Sequence, residues 1–135
     1  SELKNWPEQK WEQFISILIK DGESLLLVGG EAEFEKVRRL AALFPNANLR
    51  VLLNEPLTTV SRELAACRLF VGHDSGITHL AAALGLPCLV LWAETNEKVW
   101  GPLGDHVHII KNPDGIMLIE PCFVFGLIKK VSSIH

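Results

Sequence analysis

The polar residues best suited to chemistry stand together between two apolar segments near the middle of the chain. His73, Asp74 and Ser75 follow the apolar run Leu69–Val71, and His79 comes one helical turn after Ser75. Side chains on a helix lean toward its N-terminus, so His79 can reach back to the turn. A carboxylate, a hydroxyl and an imidazole at the start of a helix can bind a phosphate and hydrogen-bond a sugar hydroxyl.

A strand, a helix and a second strand are predicted to position this cluster. Ser75 is suited to N-cap a helix, and Gly85 with Pro87 is suited to end it. Apolar residues recur at helical spacing between them, at Ile77, Leu80, Ala81 and Leu84. Cys88–Trp92 is a second buried strand. The turn of such a βαβ unit lies at the carboxyl end of a strand, where open α/β sheets bind ligands, and Gly76 leaves its backbone exposed there.

A purely structural interpretation stays open on spacing alone. Asp74 and Ser75 are also ordinary capping residues, and His79 is also compatible with a half-buried polar position. The spacing of these residues does not decide between the two interpretations.

Helices and strands alternate along the whole chain. Helices are predicted at Pro7–Lys20, at Glu31–Phe44, from a cap at Thr58 or Thr59 to near Cys67, after Ser75, and at Pro121–Val131. Strands are predicted at Ser24–Val28, Leu49–Leu53, Leu69–Val71, Cys88–Trp92 and Val107–Ile110. This order indicates an α/β fold with a Rossmann-like, doubly wound parallel sheet, and the length suits one domain over residues 1–135.

The start of the chain suggests a missing element. The first helix of such a fold would follow a strand, yet only five residues precede Trp6, and the chain opens on Ser1 without an initiator Met. We expect a strand and a turn upstream, in a longer protein from which this chain was processed or cut.

Composition excludes several classes of protein. The chain has 135 residues, of which 48% are hydrophobic and 21% charged, with a net charge of −3. That balance, without a cluster of Lys and Arg, does not predict the positively charged surface with which proteins bind nucleic acid. The apolar runs are strand-sized, so no transmembrane helix and no signal peptide are predicted. Three separated cysteines fit buried thiols in a reducing compartment, and a cytoplasmic domain is expected.

Further candidate residues carry weaker signals. Gly29-Gly30 with Glu31 and Glu33 follows the first strand, where glycines admit a ligand and a carboxylate can accept from ribose hydroxyls; the carboxylates more often only complement a helix dipole. Lys4 before Trp6-Pro7 can neutralise a diphosphate, although a lone lysine near a terminus is usually solvated. The loop from Thr95 to Pro102 can close over a ligand or lie on the surface. His106 and His108 share a strand face but lack further metal ligands, and no cysteine has a histidine placed to activate it.

The segment from Gly72 to Pro87, GHDSGITHLAAALGLP, closely resembles the signature of glycosyltransferase family 9, the ADP-heptose:lipopolysaccharide heptosyltransferases. The resemblance extends to Lys4–Pro7, to Gly29-Gly30 and to Thr95–Pro102. It implies the C-terminal, donor-binding half of a GT-B fold, in which two Rossmann-like domains flank the active site. The rest of that enzyme, including the N-terminal acceptor domain and the general base, is expected outside this chain.

The resemblance also implies roles for individual residues. Lys4, Asp74 and His79 are expected to be catalytic, with Lys4 pairing with the donor phosphates. The donor-binding set comprises these three and Gly29, Gly30, Glu33, Glu55, Leu57, Ser75 and Gly76. Within that set Glu33 matches the acidic residue that holds the ribose, and Glu55 and Leu57 are expected on a loop that borders the base. The family often has F-G-P-T where this chain has Trp92-Ala93-Glu94-Thr95, which adds a carboxylate near the donor.

The predicted function follows from this resemblance. The chain is expected to bind a nucleotide sugar such as ADP-heptose for an inverting transferase of envelope polysaccharide or lipopolysaccharide synthesis, with no metal or other cofactor. A saccharide or lipid-linked acceptor would bind the missing domain, at the inner face of the cytoplasmic membrane. The alternatives are a non-catalytic nucleotide- or phosphate-binding module and a GT-B epimerase, although the carboxylates of an epimerase are not evident. The isolated chain is expected not to turn over.

Overall fold

Residues 5–73, 75–93 and 105–133 are described by the computed structural model. The helices in these ranges are α1 (Glu8–Lys20), α2 (Phe34–Ala42), α3 (Leu57–Ala65), α4 (Gly76–Ala83) and α5 (Pro121–Ser133). The strands are β1 (Leu25–Gly29), β2 (Leu49–Leu53), β3 (Phe70–His73), β4 (Cys88–Leu91) and β5 (Val107–Ile110). Short 3₁₀ turns cover Glu31–Glu33 and Ile116–Leu118. All strand pairs are parallel, which confirms the predicted α/β class.

Two compact units divide the chain, and the division falls inside α3, between Val60 and Ser61. The first unit comprises residues 1–6 and 61–119 and contains a sheet in the order β3-β4-β5. Its central strand β4 is buried at every position, as expected for an apolar run covered on both faces. Helix α4 packs against β3 and β4. Gly85 lies just beyond its C-cap, Leu84, and has a φ of 86°, the left-handed conformation that favours glycine after a helix.

The second unit comprises residues 7–60 and 120–135 and contains the pair β1-β2. Helix α2 packs on both strands, and α1 packs on α2 and α5. The buried side chains of α1 are Phe14, Ile15 and Leu18, on the face that the apolar spacing predicts. Ion pairs on this unit join Lys10 to Glu120, Arg39 to Glu8 and Lys129 to Asp21.

Several predicted helix and strand ends differ by one to three residues from the observed ones, and two predicted assignments were wrong. Helix α3 begins at Leu57, and the N–H of Val60 donates to the carbonyl of Pro56 at 3.1 Å, so Thr58 and Thr59 lie inside the first turn instead of capping it. His73 belongs to β3 and not to the turn, because the parallel ladder continues until His73 pairs with Leu91. No helix in the described ranges is long and apolar enough to cross a membrane.

The cysteines differ sharply in exposure, and thiol labelling is expected to follow that difference. Cys88 has no exposed surface, and burial raises the pKa of its thiol to about 11, so about one molecule in a thousand carries the thiolate at pH 8. Cys122 is exposed. We expect Cys122 to react with a thiol reagent at pH 8 at least about a hundredfold faster than Cys88. Mass spectrometry of the labelled peptides measures this, with Cys122→Ser as control; equal rates would contradict the burial of β4.

Candidate functional site

The first turn of α4 is built as the sequence predicts. Ser75 has an extended backbone, with φ −153° and ψ 169°, and its Oγ accepts from the N–H of Thr78 at 3.4 Å. The carbonyl of Ser75 accepts from the N–H of His79 at 3.1 Å. Ser75 is therefore the N-cap of α4, which confirms that prediction. The remaining N–H groups of the first turn point out of the helix start, as helix geometry requires.

Thr78 joins this helix start to the end of β3, a role that the sequence did not suggest. Its side chain has no exposed surface, and its Oγ1 donates to the carbonyl oxygen of His73 and lies 3.2 Å from the Oγ of Ser75. A buried hydroxyl with such partners fixes the strand end relative to the helix cap. The one sequence feature that could have indicated this role is the position of Thr78, a hydroxyl residue three places after the N-cap Ser75.

Two glycines flank this turn, Gly72 in β3 and Gly76 at the start of α4, and their surroundings differ. A Cβ on Gly72 would lie 2.6 Å from Cε2 and 2.9 Å from Cζ of Phe70, and 3.0 Å from Oγ1 of Thr78. A Cβ on Gly76 would meet no heavy atom of the described residues within 4 Å. Gly72 is therefore required by internal packing, whereas no described residue fills the space beside Gly76, as close approach of a ligand requires.

Trp6 brings the start of the chain to the same strand end. Its side chain is fully buried, and its indole N–H donates to the carbonyl of Ile119 at 2.9 Å. Its backbone N–H donates to Nε2 of His73 at 2.8 Å. Neither contact was predicted, because the partners are separated by 113 and 67 positions in the sequence. Trp6 is thus anchored in the first unit beside β3.

Several predicted site residues lie outside the described residues. These are Lys4, Asp74 and the loop that contains Glu94, Thr95 and Pro102. Of the predicted set in the first unit, the structure brings Ser75, Gly76 and His79 together in the first turn of α4, with His79 half-buried.

In the second unit, Gly29 and Gly30 end β1 and begin the turn that leads to α2. A Cβ on Gly29 would lie 3.1 Å from Cβ of Glu33 and 3.1 Å from Cγ2 of Val37, so this glycine permits close packing of α2 on the strand. Glu33 folds back, and its Oε1 accepts from the N–H of Gly30 at 3.0 Å, as in a capping box. The ligand roles expected of these three residues stay predictions beside the structural roles observed.

Glu55 and Leu57 follow β2 in the same unit. Asn54, just before them, has a φ of 57°, a left-handed conformation that asparagine tolerates, and its N–H donates to the carbonyl of Gly29 at 3.0 Å. Glu55 is exposed, and Leu57 is 69% exposed although it is apolar. Leu57 is the first residue of α3 and not part of a loop, so its side chain is held by a helix.

Charged side chains of α1 and α2 are paired within the second unit. Arg39 makes a two-pronged contact with Glu8, at 2.7 Å and 3.1 Å, and these hydrogen bonds lower the pKa of the Glu8 carboxyl and raise that of the guanidinium. Burial lowers the pKa of Lys36, and the carboxylates of Glu8 and Glu33 oppose that shift. Glu33, in the turn before α2, therefore lies close enough to Lys36 of α2 for their charges to interact.

No metal-binding cluster appears where the structure is described: no three of its His, Cys, Asp and Glu side chains converge. Of the two histidines considered for a strand face, His106 lies 3.0 Å from the carbonyl of Ala82 through Nε2, and His108 is exposed on β5.

A family model matches most of the chain. The model of glycosyltransferase family 9 (heptosyltransferase) matches residues 1–121, which include all of the first unit and most of the second.

Individual relatives agree with that match. A lipopolysaccharide heptosyltransferase 1 of Pseudomonas aeruginosa strain PAO1 is 39% identical over 108 residues, which make up 78% of this chain and 30% of the relative. The structure of E. coli heptosyltransferase WaaC with ADP superposes with a TM-score of 0.84 at 30% identity, over 96% of this chain and 41% of that one. The structure of the same enzyme with ADP-2-deoxy-2-fluoro heptose superposes with a TM-score of 0.80 at 28% identity, over 95% of this chain and 39% of that one. The chain spans about a third of the length of the curated relatives it matches.

Proposed function

We propose that this chain, which belongs to glycosyltransferase family 9, forms the donor-binding part of a heptosyltransferase. In this proposal the start of α4 receives the diphosphate and sugar of the donor. The observation that carries the proposal is the Ser75-capped start of α4, placed directly after the carboxyl end of β3 with open space beside Gly76. A similar structure of E. coli heptosyltransferase WaaC is described as a complex with ADP, and another as a complex with an ADP-heptose analogue.

The helix start suits an anion for two physical reasons. Its first-turn N–H groups lack partners inside the helix, and the helix dipole places partial positive charge there. As the acceptor hydroxyl displaces the nucleoside diphosphate in one inverting step, negative charge develops on the departing phosphate. Donors that are already oriented stabilise this charge by up to several kcal/mol. We assign this electrostatic role to the α4 start and to Lys4, without a metal ion.

The other predicted residues receive roles in the same proposal. Asp74 and His79 contact the sugar and diphosphate, Glu33 accepts from the ribose, and Glu55 and Leu57 border the base. The side chain of Leu57 is 69% exposed and is therefore accessible to a flat ring. The acceptor and the general base belong to the remaining part of the enzyme, so the isolated chain is expected to bind the donor without transfer.

Titration calorimetry with ADP, UDP and GDP tests the proposal. We expect the chain to bind ADP at least about tenfold more tightly than UDP or GDP, because an adenine-specific nucleoside site discriminates by hydrogen bonds that the other bases do not complete. Asp74→Ala and His79→Ala are expected to weaken an intact ADP-sugar more than ADP itself. Arg62→Ala, a change elsewhere on the chain, serves as control.

Each outcome decides a separate point. A chain that binds none of the three nucleotides contradicts the donor-site assignment. Equal losses for the ADP-sugar and ADP in the Asp74 and His79 variants contradict the sugar roles. Binding of ADP together with an absence of acceptor-dependent function in the full-length protein would favour the non-catalytic module.

A further inference from the structure

Thr78 contributes a buried hydroxyl to the start of α4. Its side chain has no exposed surface, and its Oγ1 donates to the carbonyl oxygen of His73 at the end of β3. The same Oγ1 lies 3.2 Å from the Oγ of Ser75, and the N–H of Thr78 donates to that Oγ at 3.4 Å. Thr78 therefore contacts both the strand that precedes the turn and the N-cap of the helix that follows it.

The direction of these hydrogen bonds follows from the protons that are available. A threonine hydroxyl has a single proton and a carbonyl oxygen can only accept, so the Thr78 proton points to the carbonyl of His73. In the contact between the two hydroxyl oxygens, Ser75 is then the donor and Thr78 the acceptor. Because the Ser75 proton is directed at Thr78, Ser75 serves an anion as the cap that orders the first-turn N–H groups and not through its own hydroxyl proton.

The hydroxyl of Thr78 also fits closely against β3. A Cβ on Gly72 would lie 3.0 Å from Oγ1 of Thr78, so a larger residue in the strand would press on the hydroxyl. A buried side chain with hydrogen-bond partners on two sides and a strand against it has little freedom to move. The distance between the strand end and the helix start is therefore fixed through Thr78.

We propose that Thr78 is a positioning residue of the donor site, whose hydroxyl holds the Ser75 cap against the end of β3 and so orients the first-turn N–H groups of α4 toward the donor diphosphate. This inference rests on the proposed function for the identity of the ligand. The contacts of Thr78 with His73 and Ser75 stand on the geometry alone. A threonine that served only packing would contribute to stability without a separate effect on binding.

Conservative variants separate positioning from packing. Thr78→Val exchanges the hydroxyl for a methyl group of similar size, whereas Thr78→Ser keeps the hydroxyl and loses the methyl group. Thr78→Ala is a second variant without the hydroxyl and replaces Thr78→Val if that protein does not fold. Ile110→Val deletes one methyl group from a buried side chain of β5 in the same unit and is the matched control for Thr78→Ser.

Thermal unfolding and titration calorimetry with ADP are carried out on each variant. We expect the Tm to fall by about 3–8 °C in Thr78→Val and by about 2–6 °C in Thr78→Ser and Ile110→Val, because each change removes a buried interaction. ADP affinity is expected to fall about fivefold to tenfold in Thr78→Val and Thr78→Ala, which lack the hydroxyl. In Thr78→Ser and Ile110→Val it is expected to stay within about twofold of wild type.

The pattern of affinities decides the positioning role. Loss of affinity without the hydroxyl, together with recovery in Thr78→Ser despite its lower Tm, supports the role. A hydroxyl-free variant that binds ADP like wild type overturns it. A loss in Thr78→Ser equal to that in Thr78→Val also overturns it, since affinity would then not depend on the hydroxyl.

NMR of the wild-type chain tests the contacts without ligand or substitution. A buried hydroxyl that donates to a carbonyl is protected from exchange with water, so we expect a separate resonance for the Thr78 hydroxyl proton. Exchange too fast for this proton to be observed overturns the contacts. Failure of wild type to bind ADP overturns the proposed function and with it the role toward the diphosphate, while the hydroxyl resonance still decides whether Thr78 holds the strand end.

Discussion

Replacement of Trp6 by alanine is expected to lower the free energy of unfolding by about 3–5 kcal/mol, the usual cost of truncating a buried aromatic side chain. Trp6 has no exposed surface, and its indole N–H donates to the carbonyl of Ile119 at 2.9 Å. Truncation would therefore leave a cavity and a carbonyl that has lost its donor. Urea unfolding followed by circular dichroism measures the change.

Two further variants separate cavity from hydrogen bond. Trp6→Phe keeps most of the volume and removes the donor, so we expect a loss of about 1–3 kcal/mol. Trp11→Ala removes a partly exposed tryptophan from α1 and is expected to cost less than Trp6→Ala. A Trp6→Ala variant as stable as Trp11→Ala would show that Trp6 is not buried and hydrogen-bonded as described.

Replacement of Gly76 by alanine is expected to weaken ADP binding by about tenfold or more while leaving the chain as stable as wild type or slightly more stable. A Cβ at this position meets no atom of the described residues within 4 Å, and alanine is preferred to glycine in a helix by up to about 1 kcal/mol. The same methyl group would occupy the space through which a phosphate approaches the backbone at the start of α4. Calorimetry for ADP and thermal unfolding are measured on the same protein.

Gly72→Ala provides the opposite control. Its Cβ would come within 3 Å of the Phe70 ring, so the ring must shift, and we expect a loss of stability of about 1–3 kcal/mol. If Gly76→Ala binds ADP like the wild type, the donor phosphate does not approach α4 at that residue.

Local patterns were sufficient for much of the fold. The apolar runs at β2 and β5 have the bounds that their residue types predict, and Ser75 caps α4 as a serine before a helical repeat should. These features depend on interactions among residues close in sequence, so their signal is contained in a short window. The start of α3 at Leu57 was missed because Pro56 competes with two threonines as a helix start, and local propensity does not choose between them.

For the candidate site, the amino-acid sequence was enough to identify the D-S-G-x-x-H pattern, its family and the helix that must follow Ser75. The contacts that support these residues became visible only in the folded chain. The contacts of Trp6 with His73 and Ile119 join residues that lie 67 and 113 positions apart. The ladder that places His73 in β3 depends on its pairing with β4. Such contacts have no local pattern, because their energy comes from burial and from partners that are brought together only when the chain folds.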